Sequence, residues 1–253
     1  MWSYATLALA ALFLPLFPLS MVFNLLLGRV QGGLLRSLVI MLWPQIGIGI
    51  LHLADTPVPA WMATWGALTA LLYAVRALGL RDMGSWIGFM VTSSWALLWV
   101  AETFGSGGGL THLHALFFSV PPVLFVLLGE GLTQRYGAAY TGLYAGLATT
   151  LPRLSFVLVL VILATAATPL FPGFFAMLTL MLDTVPQSAA MATALALVWL
   201  LWSGAGMRLL TGLIIGNPGS TVVPDLGYAA TLGFLAGLGA LVVAGLYLVG
   251  KML

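Results

Sequence analysis

Long apolar runs without a charged residue, such as residues 2–27 and 154–182, dominate this chain and limit what it can fold into. Of its 253 residues, 62% are hydrophobic and only 6% are charged. Soluble domains carry about 25% charged residues, so this composition cannot supply a hydrated surface. A water-soluble domain, a disordered tail and a nucleic-acid-binding protein are therefore excluded, and lipid must replace water around the fold.

Eight membrane-spanning helices are predicted if each crossing takes about 20 apolar residues. Their approximate ranges are 2–27, 37–53, 59–80, 84–104, 110–133, 154–182, 188–213 and 227–250. The first run lacks the basic start of a signal peptide, so we interpret it as a retained span. The second range is short for a full crossing.

The predicted fold class is an all-α integral membrane protein that forms a single transmembrane bundle over residues 1–253. The sequence has no barrel-type alternation of polar and apolar residues, and irregular backbone cannot face lipid. Within the bundle we distinguish two N-terminal helices in residues 1–58, a central segment in 59–215 and a C-terminal helix in 216–253. No connection is long enough to form a soluble domain.

Basic residues separate the two sides of the predicted bundle. The odd-numbered connections carry or adjoin Arg29, Arg36, Arg76, Arg81, Arg135, Arg153 and Arg208. The even-numbered connections have only Asp55, Glu102 and Asp183 near their ends, and Lys251 is the one basic exception. By the positive-inside rule the arginine-rich connections are cytoplasmic and both termini lie outside, in what we take to be a bacterial inner membrane. An aromatic belt at the span ends is expected from Trp2, Trp61, Trp86, Trp99 and Tyr247.

The sixth predicted span contains a helix break. Residues 154–182 are too long for one simple crossing, and Pro169, Pro172 and Gly173 interrupt them near the middle. Proline removes a backbone donor, and a break at membrane depth is tolerated only where the freed carbonyls face protein or water. Discontinuous helices often hold ions or substrates. A helical hairpin with a Pro-Gly turn, or a harmless kink, would explain the same residues.

Several short motifs occur in order between residues 64 and 215. They are Arg81-Asp82-Met83-Gly84, Ser93-Ser94, His114-Ala115-Leu116-Phe117-Phe118, Gly142-Leu143, Leu151-Pro152-Arg153-Leu154, Pro172-Gly173-Phe174-Phe175 and Arg208-Leu209. In this order they resemble the motifs of antiporter-like, proton-conducting subunits. Such subunits occur in respiratory complex I, membrane-bound hydrogenases, multisubunit cation/proton antiporters and DAB-type inorganic-carbon uptake systems. The resemblance implies a half-length, divergent member similar to the second half of such a subunit.

The positions that carry ions in that family hold residues without charge here. The resemblance puts Gly84 and Phe118 where the family has lysines, and Met177 where its broken helix has a lysine or a glutamate. Family members are understood to pass protons along a row of Lys, Glu and His side chains. Glycine, phenylalanine and methionine cannot titrate. The resemblance therefore implies the fold of a proton-conducting subunit without its translocating lysines.

Three ionisable residues, His114, Glu130 and Glu102, remain as candidates for a rebuilt proton path. Ionisable groups inside a span are costly and indicate function by default. His114 could relay a proton, or it could be a neutral histidine bonded to a neighbouring helix. Glu130, with Arg135 nearby, could begin a half-channel, and either glutamate could instead lie at the interface. Because His112 and His114 fall on nearly opposite helix faces, no metal site is predicted, and no cofactor is implied.

Three functional hypotheses follow from these residues. The first is a non-enzymatic subunit of a proton- or cation-coupled complex, which packs against a full-length antiporter-like membrane subunit or holds a soluble cytoplasmic catalytic subunit. The second is a conducting subunit with a path through His114, Glu130 and Glu102. The third is an independent carrier or a membrane enzyme. A soluble-type active site is not supported, because the sequence has no phosphate-binding glycine loop and no Ser/His/Asp arrangement.

Overall fold

The structure is a computed structural model that describes residues 2–55, 57–105, 108–142, 145–217 and 223–252. Leu143, part of one motif above, and the side chains of Trp2 and Lys251 lie outside the described residues. Within the described ranges there are twelve helices and no strand. The helices are α1 (Trp2–Phe13), α2 (Ser20–Arg29), α3 (Gly33–Leu53), α4 (Ala60–Leu78), α5 (Met83–Ala96), α6 (Leu98–Phe104), α7 (Gly108–Tyr136), α8 (Leu147–Thr150), α9 (Pro152–Thr165), α10 (Pro172–Thr184), α11 (Ala189–Ile214) and α12 (Tyr228–Met252).

The eight predicted spans correspond to single helices or to pairs of consecutive helices. α1 and α2 share the first span, α5 and α6 the fourth, and α9 and α10 the sixth. In the described part of the chain, five helical stretches are long and apolar enough to cross a membrane. These are Gly33–Leu53, Met83–Phe104, Leu110–Tyr136, Ala189–Ile214 and Tyr228–Tyr247. The predicted fold class is confirmed: the chain is an all-α integral membrane protein.

The second span is longer than predicted. α3 begins at Gly33 rather than near residue 37, and its 21 residues span about 30 Å. The Ser37 hydroxyl donates to Gly33 O at 2.7 Å, and Arg36 Nε donates to Val30 O at 2.8 Å. Arg36 and Ser37, which the sequence places in or next to the first connection, therefore belong to the first turns of α3 and bond to the turn between α2 and α3.

The first span is interrupted, although the sequence predicts one continuous helix there. Residues 14–19 separate α1 from α2 and include two prolines, which cannot donate backbone hydrogen bonds. Trp99 Nε1 donates to Leu14 O at 2.9 Å, and Trp65 Nε1 donates to Phe17 O at 2.8 Å. Indole groups from α4 and α6 thus satisfy carbonyls that the break leaves without helical partners.

The helix ends form a basic end and an opposite end of the bundle. The basic end is defined by Arg29, Arg36, Arg76, Arg81, Arg135 and Arg153. Hydrogen bonds join its connections, since Thr141 N donates to Arg81 O at 2.8 Å and Arg135 Nε donates to Pro224 O at 2.9 Å. The arginine-bearing connections therefore lie together, as the positive-inside interpretation requires.

An acidic side chain ties the start of α12 to the start of α9. Asp225 accepts hydrogen bonds from the backbone N–H groups of Arg153 at 2.9 Å and Leu154 at 3.2 Å. It also accepts one from Leu226 N at 2.6 Å. The Arg153 guanidinium lies 3.7 Å from the centre of the Tyr228 ring. These contacts, called here the Asp225 latch, matter because only 11% of the apolar stretch of α12 is buried.

α4 approaches α5 and α6 so closely at Gly66 that no side chain fits there. A methyl group on Gly66 would lie 2.5 Å from Ala96 O and 3.0 Å from Trp99 Cβ. We expect Gly66→Ala to lower the free energy of unfolding by about 1 to 3 kcal/mol, because the helices must move apart. The Tm of the purified chain measures this loss of stability, with size-exclusion chromatography as the readout of the protein that remains folded after heating.

Gly49→Ala is the matched control for this prediction. No atom lies within 4 Å of a methyl group at position 49, and alanine has the higher helix propensity. The control should therefore be as stable as the unsubstituted chain or slightly more stable. Equal Tm values for the Gly49→Ala and Gly66→Ala variants would contradict the close packing of α4.

Candidate functional site

The helix break between α9 and α10 is closed by hydrogen bonds. Residues 166–171 leave the helical path, and Ala167 has a positive φ of 55°. Thr168 donates to Leu163 O through its backbone N at 3.1 Å and through Oγ1 at 2.9 Å. Trp199 Nε1 of α11 donates to Ala167 O at 2.9 Å. Carbonyls at the break are thus paired within the protein, which is what a break in lipid surroundings requires.

The break belongs to a discontinuous helix, as predicted, and not to a helical hairpin. α9 packs mainly on α7, whereas α10 packs mainly on α11 and α12, and the two halves touch each other little. Pro169 lies in the irregular segment, and Pro172 and Gly173 are the first residues of α10. A methyl group on Gly173 would lie 3.4 Å from Ala167 Cβ, which is an ordinary van der Waals distance, so the break does not depend on a glycine at this position.

The resemblance assigns three ion positions, at Gly84, Phe118 and Met177, and none of these residues has a polar side chain. Gly84 is the second residue of α5, at the basic end. Phe118 is 6% exposed, and its ring contacts the Trp202 ring edge-on at a centroid distance of 5.8 Å. Met177 is fully buried in α10. Phe118 and Met177 therefore place an aromatic ring and a thioether in the interior of the bundle.

A small cavity of about 10 Å³ lies where Phe118 meets the helix break. This volume has room for about one water molecule. Its polar lining consists of two hydroxyl groups that are already bonded, because Ser94 donates to Val91 O at 3.0 Å and Thr165 donates to Val161 O at 2.8 Å. No ionisable side chain lines this cavity, so it offers no countercharge to an ion.

His114 is 4% exposed and contacts the second half of the broken helix. Its Nε2 lies 3.2 Å from Thr179 Oγ1. The single hydroxyl proton of Thr179 is directed to its own helix, where Phe175 O lies at 3.0 Å and Ala176 O at 3.1 Å. With its proton used within α10, Thr179 Oγ1 can accept a hydrogen bond from His114 Nε2, whereas His114 Nδ1 has no partner among the described residues. The hydrogen bond that joins His114 to the neighbouring helix α10 therefore ends on the Thr179 side chain rather than on the backbone of α10.

Glu102 belongs to a polar cluster at the end opposite the arginines. His52 Nε2 lies 3.1 Å from Glu102 Oε1. The His52 ring also lies 5.2 Å from the His112 ring, and His112 Nδ1 lies 2.6 Å from Gln45 Oε1. Sequence reasoning missed this cluster because its pairs are separated by 50 and 67 residues. Across the part of the chain that the structure describes, no three His, Cys, Asp or Glu residues could hold a metal ion.

Glu130 lines a cavity of about 440 Å³ at the basic end, among α2, α3, α5 and α7. Arg36 and Asp82 line the same cavity. Arg135, which the sequence brings near Glu130, turns away from it and donates from Nη1 to Gly131 O at 2.7 Å. Within the described residues Arg135 therefore forms no ion pair with Glu130, because its guanidinium donates to the carbonyls of Gly131 and Pro224.

Between the two ends the bundle contains buried tryptophans, and the indole N–H groups of Trp95 and Trp202 are paired locally, whereas that of Trp86 has no partner among the described residues. Trp95 Nε1 donates to Ser119 Oγ at 3.1 Å. Trp202 Nε1 donates to Ser93 Oγ at 2.8 Å, and Ser93 in turn donates to Ala70 O at 2.7 Å. Neither chain of hydrogen bonds reaches an ionisable side chain. Within the described residues, the three candidate path residues are thus not joined to one another.

The fold and the site together define a membrane-embedded helical bundle with a discontinuous helix, and chains of known structure share this fold. A chain in the Mrp complex from Dietzia sp. DQ12-45-1b matches 99% of this chain with a TM-score of 0.86 and 18% identity. A chain in respiratory complex I from Thermus thermophilus with bound NADH matches 97% with a TM-score of 0.83 and 20% identity. A chain in the membrane-bound sulfane sulfur reductase, an archaeal respiratory membrane complex, matches 96% with a TM-score of 0.80 and 16% identity.

These likenesses confirm the predicted resemblance at the level of the fold. This chain spans about half the length of the three matched chains, covering 57%, 54% and 52% of them. No family model matches the sequence, and no curated protein matches it. The fold is therefore that of chains in multisubunit membrane complexes, and the activity must be argued from this chain's own residues.

Proposed function

We propose that this chain is a non-enzymatic membrane subunit of a proton- or cation-coupled multisubunit complex, with a structural, partner-positioning role. The observation that carries the proposal is the aromatic middle of the bundle, where Phe118 packs against Trp202. A proton relay needs donors and acceptors within hydrogen-bond or water reach. Here the carboxylates and guanidinium groups lie near the two ends, around Glu130 and around Glu102, and His114 is hydrogen-bonded to neither group.

The proposed partner is a full-length antiporter-like membrane subunit, which would supply the charge transfer that this chain lacks. A soluble cytoplasmic catalytic subunit is a second proposed partner, at the basic end. The likeness to chains of the Mrp complex and complex I supports membership in such an assembly. We assign the chain to a bacterial inner membrane, with the basic end in the cytoplasm and both termini on the other side.

Purification of the tagged chain in mild detergent tests the proposed partner. We expect a full-length antiporter-like chain to co-purify in a fixed ratio, identified by peptide mass spectrometry. Addition of a harsher detergent should release it and lower the Tm of this chain. Isolation of a stable lone protein that transports a solute or catalyses a reaction would overturn the proposal and favour an independent carrier or a membrane enzyme.

His114→Ala is expected to leave proton flux through the assembled complex within about twofold of its original value. The reason is that the hydrogen bond of His114 Nε2 ends on Thr179, whose hydroxyl donates to the backbone carbonyl of Phe175 in α10. The hydrogen bonds therefore do not continue to another ionisable side chain. Flux is measured with a pH-sensitive dye in proteoliposomes that contain the whole complex.

Thr179→Val is the matched control, because it removes the same hydrogen bond and keeps the imidazole. A conducting subunit with a path through His114, Glu130 and Glu102 is the second candidate function, and the unpartnered Nδ1 of His114 is the observation that favours it. A flux loss of about tenfold or more in His114→Ala, with normal flux in Thr179→Val, would support that path and contradict the structural role.

A further inference from the structure

The cavity that Glu130 lines at the basic end has the size and depth of a ligand site. Its volume of about 440 Å³ falls within the range of roughly 300 to 1,000 Å³ that is usual for small-molecule sites. The part of α7 that lines it runs from Phe125 to Thr133, about 12 Å along the helix axis. The cavity therefore extends from the basic end well into the apolar part of the bundle.

Three charged side chains line this cavity without forming an ion pair. Arg36, Asp82 and Glu130 are all half-buried, and no nitrogen of Arg36 lies within 4.0 Å of either carboxylate. Asp82 Oδ2 accepts a hydrogen bond from Ser85 N at 2.6 Å. Arg36 uses Nε on Val30 O, which leaves its two terminal nitrogens without a hydrogen bond to a described residue. Opposite charges held apart in this way favour a ligand that carries both signs, because buried charges are costly when unpaired.

The remaining lining supplies space near the charges and apolar walls below them. A methyl group on Gly84 would lie 3.3 Å from Asp82 Oδ2 and 3.9 Å from Arg36 Nη1, so the glycine keeps this space open. Phe89 and Phe125 line the part of the cavity that is farther from the helix ends. A suitable ligand therefore has a small head with both charges and an apolar remainder.

We propose that this cavity binds a phosphoethanolamine group, as the head group of a phospholipid whose acyl chains lie along Phe89 and Phe125. The phosphate binds Arg36, because a guanidinium offers two parallel donors to phosphate oxygens. The primary ammonium group has three donors and binds the carboxylates of Glu130 and Asp82. The two carboxylates outnumber the single guanidinium, which disfavours an anionic head group. A quaternary ammonium head group has no N–H to donate.

Native mass spectrometry of the full chain tests the proposal. The chain is purified, exchanged into detergent and mixed with phosphatidylethanolamine, phosphatidylcholine or phosphatidylglycerol of identical acyl chains. We expect one phosphatidylethanolamine adduct to form at a lipid concentration roughly tenfold lower than for the other two lipids. This comparison uses the unsubstituted chain and does not depend on the folding of any variant. Equal binding of the three lipids would overturn the proposal.

Substitutions assign the binding to this cavity. Arg36→Gln and Glu130→Gln should each weaken the phosphatidylethanolamine adduct by roughly tenfold, whereas Arg36→Lys should retain part of the binding because it keeps the charge. Arg29→Gln is the matched control, since Arg29 is exposed at the same end and does not line the cavity. Arg36→Gln and Arg29→Gln variants that bind the lipid equally would contradict the proposed site.

Free phosphoethanolamine distinguishes the two sources of this head group. If it displaces the lipid adduct at millimolar concentration, the head group alone is recognised and a soluble source also fits the site. If it does not, the acyl chains are required and the ligand is the lipid. Displacement by free inorganic phosphate at the same concentration would show that the ammonium contributes nothing, and would overturn the proposal.

Discussion

Phe118→Lys is expected to destabilise the folded chain by roughly 3 to 5 kcal/mol and not to create a proton path. The new ammonium would replace a ring that is 6% exposed and contacts Trp202. The neighbouring cavity has room for about one water, and its two hydroxyl groups, on Ser94 and Thr165, are uncharged and donate to backbone carbonyls. No carboxylate lines it, so the charge would stay unpaired. Thermal unfolding in detergent measures the loss of stability.

Phe118→Leu is the control that removes the ring without adding a charge. It should lower the free energy of unfolding by less, about 1 to 2 kcal/mol, because it leaves a void but buries no charge. Proton flux of the assembled complex is measured for both variants. A Phe118→Lys variant that is as stable as Phe118→Leu, or that raises the flux, would contradict the apolar packing around Phe118 on which the proposed function depends.

Asp225→Ala is expected to lower the free energy of unfolding by about 2 to 4 kcal/mol. The substitution leaves the N–H groups of Arg153, Leu154 and Leu226 without their acceptor. Two of these groups belong to the first turn of α9, whose donors have no partner within the helix. Because α12 buries little surface, loss of the latch should also make it the first helix to open to protease, which limited proteolysis can detect.

Asp225→Asn and Asp55→Asn separate the latch from a general effect of charge. Both remove one carboxylate, but Asp55 is exposed at the opposite end, and no hydrogen bond to its side chain is found within the described residues. We expect an intermediate loss for Asp225→Asn, since the amide keeps one acceptor oxygen, and a change below about 0.5 kcal/mol for Asp55→Asn. Similar Tm values for the two variants would argue against the latch.

The broken helices show where sequence patterns suffice and where they fail. The break around Pro169 and Pro172 could be predicted, because the apolar run is too long for one crossing and proline cannot continue a helix. The break at residues 14–19 also contains prolines, but it lies in a run of ordinary span length. Its stability depends on Trp65 and Trp99, which donate to it from α4 and α6, and no local pattern contains that information.

Tryptophan positions were a poor guide to the membrane interface. Trp86 and Trp99, expected in an aromatic belt because they fall near span ends, are fully buried, whereas Trp61 is 51% exposed. The distance of a residue from a helix end does not determine which helix face it occupies. The belt prediction was therefore wrong for Trp86 and Trp99, which pack in the core, Trp99 as a hydrogen-bond donor to Leu14 O.

The candidate site was predictable by residue type but not by partner. His114 and Glu102 stand out in the sequence because ionisable residues are rare within apolar runs. Their partners, Thr179 and His52, lie on helices distant in sequence. Asp225 was missed altogether, since a carboxylate in a connection gives no sign that it caps a helix elsewhere. Such arrangements depend on tertiary packing between helices that are far apart in the sequence, which local sequence patterns do not reveal.

The location of the charged residues has an electrical consequence. In the described part of the chain, every Lys, Arg, Asp and Glu side chain lies in a connection or within about two turns of a helix end. Moving one elementary charge through 100 mV changes its energy by about 2.3 kcal/mol, and this chain has no such charge in its middle layer. The transmembrane voltage therefore has little to act on here. Beside a subunit that does move charge, this bundle would therefore keep the same conformation whether or not a membrane potential is present.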